Sequence, residues 1–308
     1  MKYIQRKVFR GILNHCYQRT EEGIVIFYDV KDFLVFFTQF CTTARQHGAR
    51  VLSLCIMPDH IHHGTCVYGP DVLSGFVRDY TSRFSLQHNQ TCRYDGKLFE
   101  SPFGSAPKFG SKKARTNLIY IGNNPVERHL CTKAEEYRWN FLAYAESPHP
   151  FSEPLIIRRA SWHLGKAIRE VRVAAEHHLP LSYVQLQRLF SPLSDAEREQ
   201  LTDFIVNAYN VLDYKAATQL FGSYENMLLA MHATTGSEYD LNEFHIGKSD
   251  ACYAVWTAEL MRRKHLEDIH DIFRLSERER AALRPLLSGC ASALPEQLSA
   301  FLRLPRKL

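Results

Sequence analysis

The sequence predicts an α+β fold: a mainly antiparallel sheet with helices packed on it, followed by an all-helical second half. Three observations carry this. Strand-like and helix-like runs are mixed through about the first 150 residues, their order reads strand, helix, strand, strand, helix, and after residue 155 nearly every segment has helical spacing. Between the halves lies "AESPHPFSEP" (145–154), whose three prolines in a short polar stretch read as a linker or a capped domain end. The expected domains are therefore 1–150 and 151–308.

Each element has its local reason. "GIVIFYDV" (23–30) and "ARVLSLCIM" (49–57) are rich in residues suited to strands, and "IHHGTCVYG" (61–69) resumes alternation beyond Pro58. Between the first two, "VKDFLVFFTQFCTTARQHG" (30–48) has helical spacing, starts from an Asp-containing turn and stops at Gly48. "ARTNLIYIGNNPVERHL" (114–130) reads as a helix ending near Pro125, because the residue before a proline is pushed out of helical geometry. In the second half, "SDAEREQLTDFIVNAYNV" (194–211) and "SERERAALRPLLSG" (276–289) both open on a serine cap, the first as a proper capping box. The last 34 residues, 275–308, read as two helices with a turn around Ala291 and Ser292, either an incomplete helix-turn-helix or a helical cap on the first half.

Composition narrows the class. At 45% hydrophobic and 23% charged the chain has ordinary globular proportions, and no apolar stretch approaches the ~20 residues that span a bilayer. The basic amino terminus lacks a continuous apolar segment and a small-residue cleavage site, so a cytoplasmic protein is expected. Cys16, Cys41, Cys55, Cys66, Cys92, Cys131, Cys252 and Cys290 form no CxxC pair, which argues against a zinc knuckle or a redox motif. The formal charge of +5 is uneven. Residues 1–150 hold nineteen Lys and Arg against thirteen Asp and Glu, while the remainder is almost balanced, which is compatible with a phosphate-rich partner of the first half.

Two stretches carry the chemistry. In "MPDHIHHG" (57–64) strand alternation turns His60 and His62 to one face and Ile61 and His63 to the other. Two imidazoles on one face can clamp a divalent metal, although an isolated HxH is more often a pair of polar residues at a strand end. The second stretch is the helix at 114–130, where Tyr120 and Asn124 stand four apart on one face, offering a phenol and an amide oxygen to the same point. A lone tyrosine there would read as a core aromatic with its hydroxyl at the surface. The two stretches together are far more specific than either alone.

At these residues the chain resembles a known family. "MPDHIH" (57–62) and "YIGNNPV" (120–126) match the MPxHxH strand and YIxxNPV helix of the HUH single-tyrosine transposases, in particular the REP-associated tyrosine transposases. Supporting similarity runs from "NHCYQRT" (14–20) through "FVRDYTSRF" (76–84) and "LFESPFGSAPKFG" (98–110) to "EEYRWNFLAY" (135–144), so it covers about the first 150 residues. The resemblance implies a ferredoxin-like catalytic domain that cuts and rejoins single-stranded DNA at or near hairpin repeats through a covalent 5′-phosphotyrosine. It also implies Tyr120 as nucleophile, with His60, His62 and Asn124 as ligands of Mg²⁺ or Mn²⁺. The chemistry agrees, since a free phenol with a pKa near ~10 is a poor nucleophile at neutral pH and needs help from nearby charge.

Other positions follow. Arg78, Arg83, Arg93, Lys108, Lys112, Lys113 and Arg115 lie between the two motifs. Interleaved with Tyr80, Phe84, Tyr94, Phe99 and Phe103, they fit either solvated surface charge or a basic groove with stacking platforms for unpaired bases. His63 and His15 read as structural, a role behind the metal ligands remaining open to either. Trp139 reads as a core anchor. Two functions compete: a DNA nicking and joining enzyme, mobile or host-adopted, and a catalytically silent DNA-binding protein or regulator on the same fold. Hairpin or single-stranded DNA is the expected partner, with no membrane partner, and the chain acts as a monomer or a homodimer.

Overall fold

Along the first half of the chain the computed structural model shows β1 (Leu13–Arg19), α1 (Val30–Gln46), β2 (Arg50–Met57), β3 (His60–Cys66), α2 (Pro70–Cys92) and β4 (Gly104–Lys108). The structure describes residues 7–233 and 249–305, so part of the basic amino terminus lies outside them. The strand order is β2-β3-β1-β4, and every neighbouring pair is antiparallel. A βαββαβ succession in this order is a ferredoxin-like sheet.

The expected strand at 23–30 is not one. Residues 24–28 are extended and buried but belong to no ladder: Ile26 and Phe27 both donate their backbone N–H to Pro58 O, and Val25 donates to Ala300 O. Their apolar side chains divide between two cores, Ile24, Ile26 and Phe27 facing the helices over the sheet, Val25 and Tyr28 facing helices from the end of the chain. That two-sided burial, which mimics a strand signal, is a consequence of the second half. The first strand is instead β1, whose Asn14, His15 and Gln18 are buried polar residues and blur its alternation. Edge strand β4 was also unheralded, since Gly104 and Pro107 weaken any strand signature.

One face of the sheet carries α1 and α2, joined through Phe36, Phe40, Phe76, Tyr80 and Phe84. Asp29 caps α1 through a reciprocal box with Asp32, and Gly48, at φ +58°, follows its end in the left-handed region. His63 points into this core, with Nδ1 2.6 Å from Thr65 Oγ1 and Nε2 3.2 Å from Tyr80 Oη. The opposite face is covered by α3 (Gly110–Glu127), which runs two residues past Pro125. Trp139 stacks on Phe33 at 4.6 Å between centroids, half-buried against the first core.

Beyond residue 155 the described structure is helical: α4 (Trp162–Glu176), α5 (Tyr183–Phe190), α6 (Asp195–Tyr209), α7 (Tyr214–Gln219), α8 (Tyr224–Ala233), α9 (Cys252–Lys264), α10 (Glu277–Ala281), α11 (Arg284–Ser288) and α12 (Pro295–Leu302). Ser194 with Glu197 and Ser276 with Glu279 both form complete capping boxes. These helices share cores with the sheet: α4 to α6 extend the α1 side, Ala217, Met227 and Met231 extend the α3 side, and α9 to α12 pack around Val25 and Tyr28. Their junction with α1 is ionic as well as apolar. Asp32 Oδ1 lies 2.8 Å from His270 Nε2 and accepts from Tyr183 Oη at 2.6 Å, while Lys31 Nζ reaches Asp268 at 2.7 Å.

His63 makes this fold acid-sensitive. Burial pushes its pKa from 6.5 down to about 3, so the folded protein takes up its proton less readily than the unfolded chain. Stability is therefore complete above pH 6.5 and falls as pH is lowered toward 3. Urea unfolding at about pH 7.5 and about pH 5 should show wild type losing roughly 2 kcal/mol more than His63→Gln between the two conditions. Equal losses would refute this assignment.

Candidate active site

The site grows from the register of three strands. Opposite residues of antiparallel strands share a face, and His62 stands opposite Tyr17 on β1 and Cys55 on β2, with His60 opposite Arg19 and Met57. His15, two residues before Tyr17, lies on the same side. Above them α3 presents Tyr120 and Asn124, one turn apart and both buried. The structure thus brings His60, His62, Tyr120 and Asn124 together. Tyr120's ring centroid is 5.3 Å from that of His62 and 5.5 Å from that of His15, and His60 and His62 are 5.0 Å apart.

Hydrogen bonds orient the two imidazoles. His60 Nδ1 lies 2.5 Å from Asp59 Oδ1, and its Nε2 lies 2.9 Å from Asn124 Oδ1. An ionised carboxylate only accepts, so Nδ1–H donates to Asp59, and at 2.9 Å the Asn124 oxygen accepts from Nε2–H when the ring carries its second proton. Once that proton is lost, two acceptor atoms face one point, which a cation could occupy. Neighbouring ligands of an octahedral divalent cation stand at about this separation, so the two atoms could serve together as ligands of one ion. His62 is held from the other side: His15 Nε2 lies 3.1 Å from its Nδ1, so that any metal ligation by His62 would fall to Nε2. Burial, helped by His62 and Lys108, pushes His15 well below the ordinary histidine range and keeps it neutral.

Asp59, Arg128 and Asp250 are site residues that the sequence motifs alone do not single out. Arg128 Nη2 bonds both oxygens of Asp59, at 3.1 and 2.9 Å, and its Nε lies 3.1 Å from Asp250 Oδ2. Burial alone would raise the Asp59 carboxyl, but His60 and Arg128 overcome it and hold that group well below the carboxylate range. For Asp250 burial prevails over the opposing Arg128 charge, and the carboxyl is pushed up to about 6. A signal existed for Asp59, which sits inside the MPDHIH motif beside His60. Arg128 follows Asn124 by one helical turn, whereas nothing in the sequence connects Asp250 to either.

The seven basic residues do not form one groove. Lys108 ends β4 on the α3 side, exposed Lys112 and Lys113 begin α3, and Arg115 donates to Leu220 O at 3.3 Å. Arg78 and Arg83 ride on α2, across the sheet, and bond Asp79 and Gln46. Arg93 ends α2 in a left-handed cap. Nor are the interleaved aromatics stacking platforms as a group, because Tyr80, Phe84 and Phe99 are buried and the core claims their faces.

Among the described residues two other His-containing groups have the spacing to hold a metal: His88, Cys92 and His270, and Asp29, Asp32 and His270. Both lie at the α1 junction. Burial opposes charge on His270, but Asp32 and Asp268 raise its pKa well above the usual value, so its cationic ring already supplies the positive charge there. Beside His88, Arg303 Nη2 stands 3.1 Å from Nε2 and repels a second cation.

No family model and no curated protein matches the sequence. Among solved structures, a REP-associated tyrosine transposase bound to a REP hairpin is similar, with a TM-score of 0.41 and 14% identity over 46% of this chain and 84% of that one. No described helix is long and apolar enough to cross a membrane.

Gly104 shapes the floor of the site. A Cβ there would fall 1.9 Å from the Tyr17 ring, so only glycine lets that ring lie across β4 beside His62. Gly104→Ala should displace the ring and cost about 1–3 kcal/mol, read as a lower urea midpoint with shifted Tyr17 resonances. An unchanged Tyr17 environment would contradict the packing described.

Proposed function

We propose that this chain is a metal-dependent nuclease and strand transferase acting on single-stranded DNA at or near hairpin repeats. Tyr120 is its nucleophile, and His60, His62 and Asn124 are its ligands for Mg²⁺ or Mn²⁺. The observation that carries the reading is the convergence of these four side chains, drawn from β3 and α3, on one face of the sheet. Lys108, Lys112 and Lys113 add positive charge at the start of the helix that bears the tyrosine, where a phosphate backbone would approach. Residues 1–150 form the catalytic unit in this reading, and 151–308 a helical accessory unit packed into its cores.

The reaction follows from the residues. Tyr120 Oη attacks the scissile phosphorus, the P–O3′ bond breaks, and the products are a 5′-phosphotyrosine and a 3′-hydroxyl that takes up a proton equivalent to the one lost by the phenol. A bound divalent cation supplies positive charge to the phosphate. His15 and Asp59 hold the rings of His62 and His60 so that their Nε2 atoms face that position, and Asn124 turns its oxygen toward the same point. Because the phosphodiester energy is kept in the tyrosyl ester, attack by another 3′-hydroxyl rejoins strands without a nucleotide cofactor.

End-labelled single-stranded hairpin oligonucleotides from the DNA flanking the gene, incubated with Mn²⁺ or with EDTA, test this on a denaturing gel. Wild type should form a metal-dependent protein-linked band, and Tyr120→Phe should lower it by about 10³-fold or more. Binding without cleavage, across several hairpins and both metals, would replace the enzyme with a silent DNA-binding protein.

A further inference from the structure

We infer that Arg128 and Asp250 are positioning residues through which the helical second half of the chain holds His60 in its cation-facing orientation. The inference rests on the reading of His60 as a metal ligand. Its evidence is a continuous series of polar contacts, charged from Asp59 to Asp250, that begins on the His60 ring and ends on α12.

The series starts in the short turn between β2 and β3, where Asp59 could rotate its carboxylate away from His60. Arg128, at the end of the helix that carries Asn124, prevents this by bonding both Asp59 oxygens. A long arginine side chain is itself mobile unless its other donors are engaged. Asp250 opposes that mobility as an ion-pair partner and through the backbone: its Oδ2 lies 3.1 Å from Arg128 Nε without hydrogen-bond alignment, and its backbone N–H donates to Arg128 O at 3.0 Å. The Asp250 side chain is 1% exposed, and its Oδ1 accepts from Gln297 Nε2 on α12 at 3.0 Å. Ser249 adds a second tie, its hydroxyl donating to His129 O at 3.1 Å. Asp59 and Arg128 thus stand between a catalytic strand and helices more than a hundred residues downstream.

Anchoring alone would not require this chemistry. Burying a carboxylate and a guanidinium carries a desolvation cost that apolar packing avoids, and the same helices already have an apolar core around Val25 and Tyr28. What the ionic series adds is direction. It fixes the Nδ1 proton of His60 and therefore the lone pair at Nε2, which is the role of a carboxylate behind a metal-bound histidine, and losing such support typically costs 10–100-fold in metal affinity.

The test uses the full chain and compares wild type with Asp250→Asn, Arg128→Gln and, as a control on an exposed ion pair of the same half, Asp271→Asn. Three readouts are taken: thermal unfolding, Mn²⁺ affinity by electron paramagnetic resonance, and the ring-nitrogen NMR spectrum of His60 without metal, assigned through its loss in His60→Gln. Asp250→Asn and Arg128→Gln should remain folded, weaken Mn²⁺ binding by about 10-fold or more, and change the His60 ring signals from a single Nδ1–H form to a mixture. Asp271→Asn should do none of these. Gln297→Ala, which loosens Asp250 without removing a charge, replaces Asp250→Asn if that variant unfolds, with the same spectral change expected. Unchanged His60 signals and unchanged Mn²⁺ affinity in the folded variants would overturn the inference. If the variants behave as expected but wild type forms no DNA adduct, the DNA chemistry fails and the coupling stands; if wild type forms the adduct but His60 is unaltered in the variants, the coupling fails and the DNA chemistry stands.

Discussion

The pleat of β3 is the constraint on which the rest depends. Its two-residue period sends His60 and His62 toward α3 and His63 toward α1 and α2, so neighbouring histidines enter opposite environments. On one side the ring is dry and neutral, bonded to Thr65 and Tyr80 in an aromatic core. On the other, two rings meet a tyrosine, an asparagine and a carboxylate. A slip of one residue in pairing would exchange these roles, placing a single histidine at the site and burying two. The cores on both faces oppose such a slip, because Ile61 would leave the first and Cys55 and Met57 would lose their partners in the second.

What could be read from the sequence divides along the same line. The MPDHIH strand and the tyrosine helix were legible because period-2 and period-3.6 spacing are local properties, and the face shared by His60 and His62 follows from the pleat alone. Strand β1 was not, since buried polar residues stand on both of its faces, His15 toward the site and Asn14 and Gln18 away from it, and break the apolar alternation. Residues 24–28 failed in the opposite sense: they have every strand-forming residue but are buried on both sides by partners from remote parts of the chain. The basic residues were grouped by sequence interval, yet α2 and α3 lie on opposite faces, and spacing along a chain holds no information about which side of a sheet a helix takes.

The second half was legible as helices and illegible as an arrangement. Capping boxes at Ser194 and Ser276 are local signals. The contacts that bind these helices to the sheet are not, because they are made by isolated charges: His270 with Asp32, Lys31 with Asp268, Asp250 with Arg128. Each would read as ordinary surface charge in a linear scan. Their burial means that none can be removed singly without leaving a partner uncompensated, so the halves are held by specificity of pairing as much as by apolar area.

Pro125 links the helix to the site. A proline has no N–H to donate to the carbonyl four residues back and disfavours helical geometry in the residue before it, here Asn124. The helix nonetheless continues for two residues and ends with Arg128 N–H donating to Asn124 O at 3.1 Å and Leu130 N–H to Pro125 O at 2.9 Å. Tyr120 and Asn124 therefore occupy the last full turns of regular helix, where their spacing is rigid, while Arg128 falls at the cap, where the backbone turns away and its side chain can reach Asp59 from the far side of His60. An arginine one turn further into an uninterrupted helix would point along the Tyr120 face and compete with the cation for the Asn124 oxygen. By ending the helix where it does, the chain keeps a fixed positive charge behind His60 and leaves the space in front of it to the cation and phosphate of the proposed reaction.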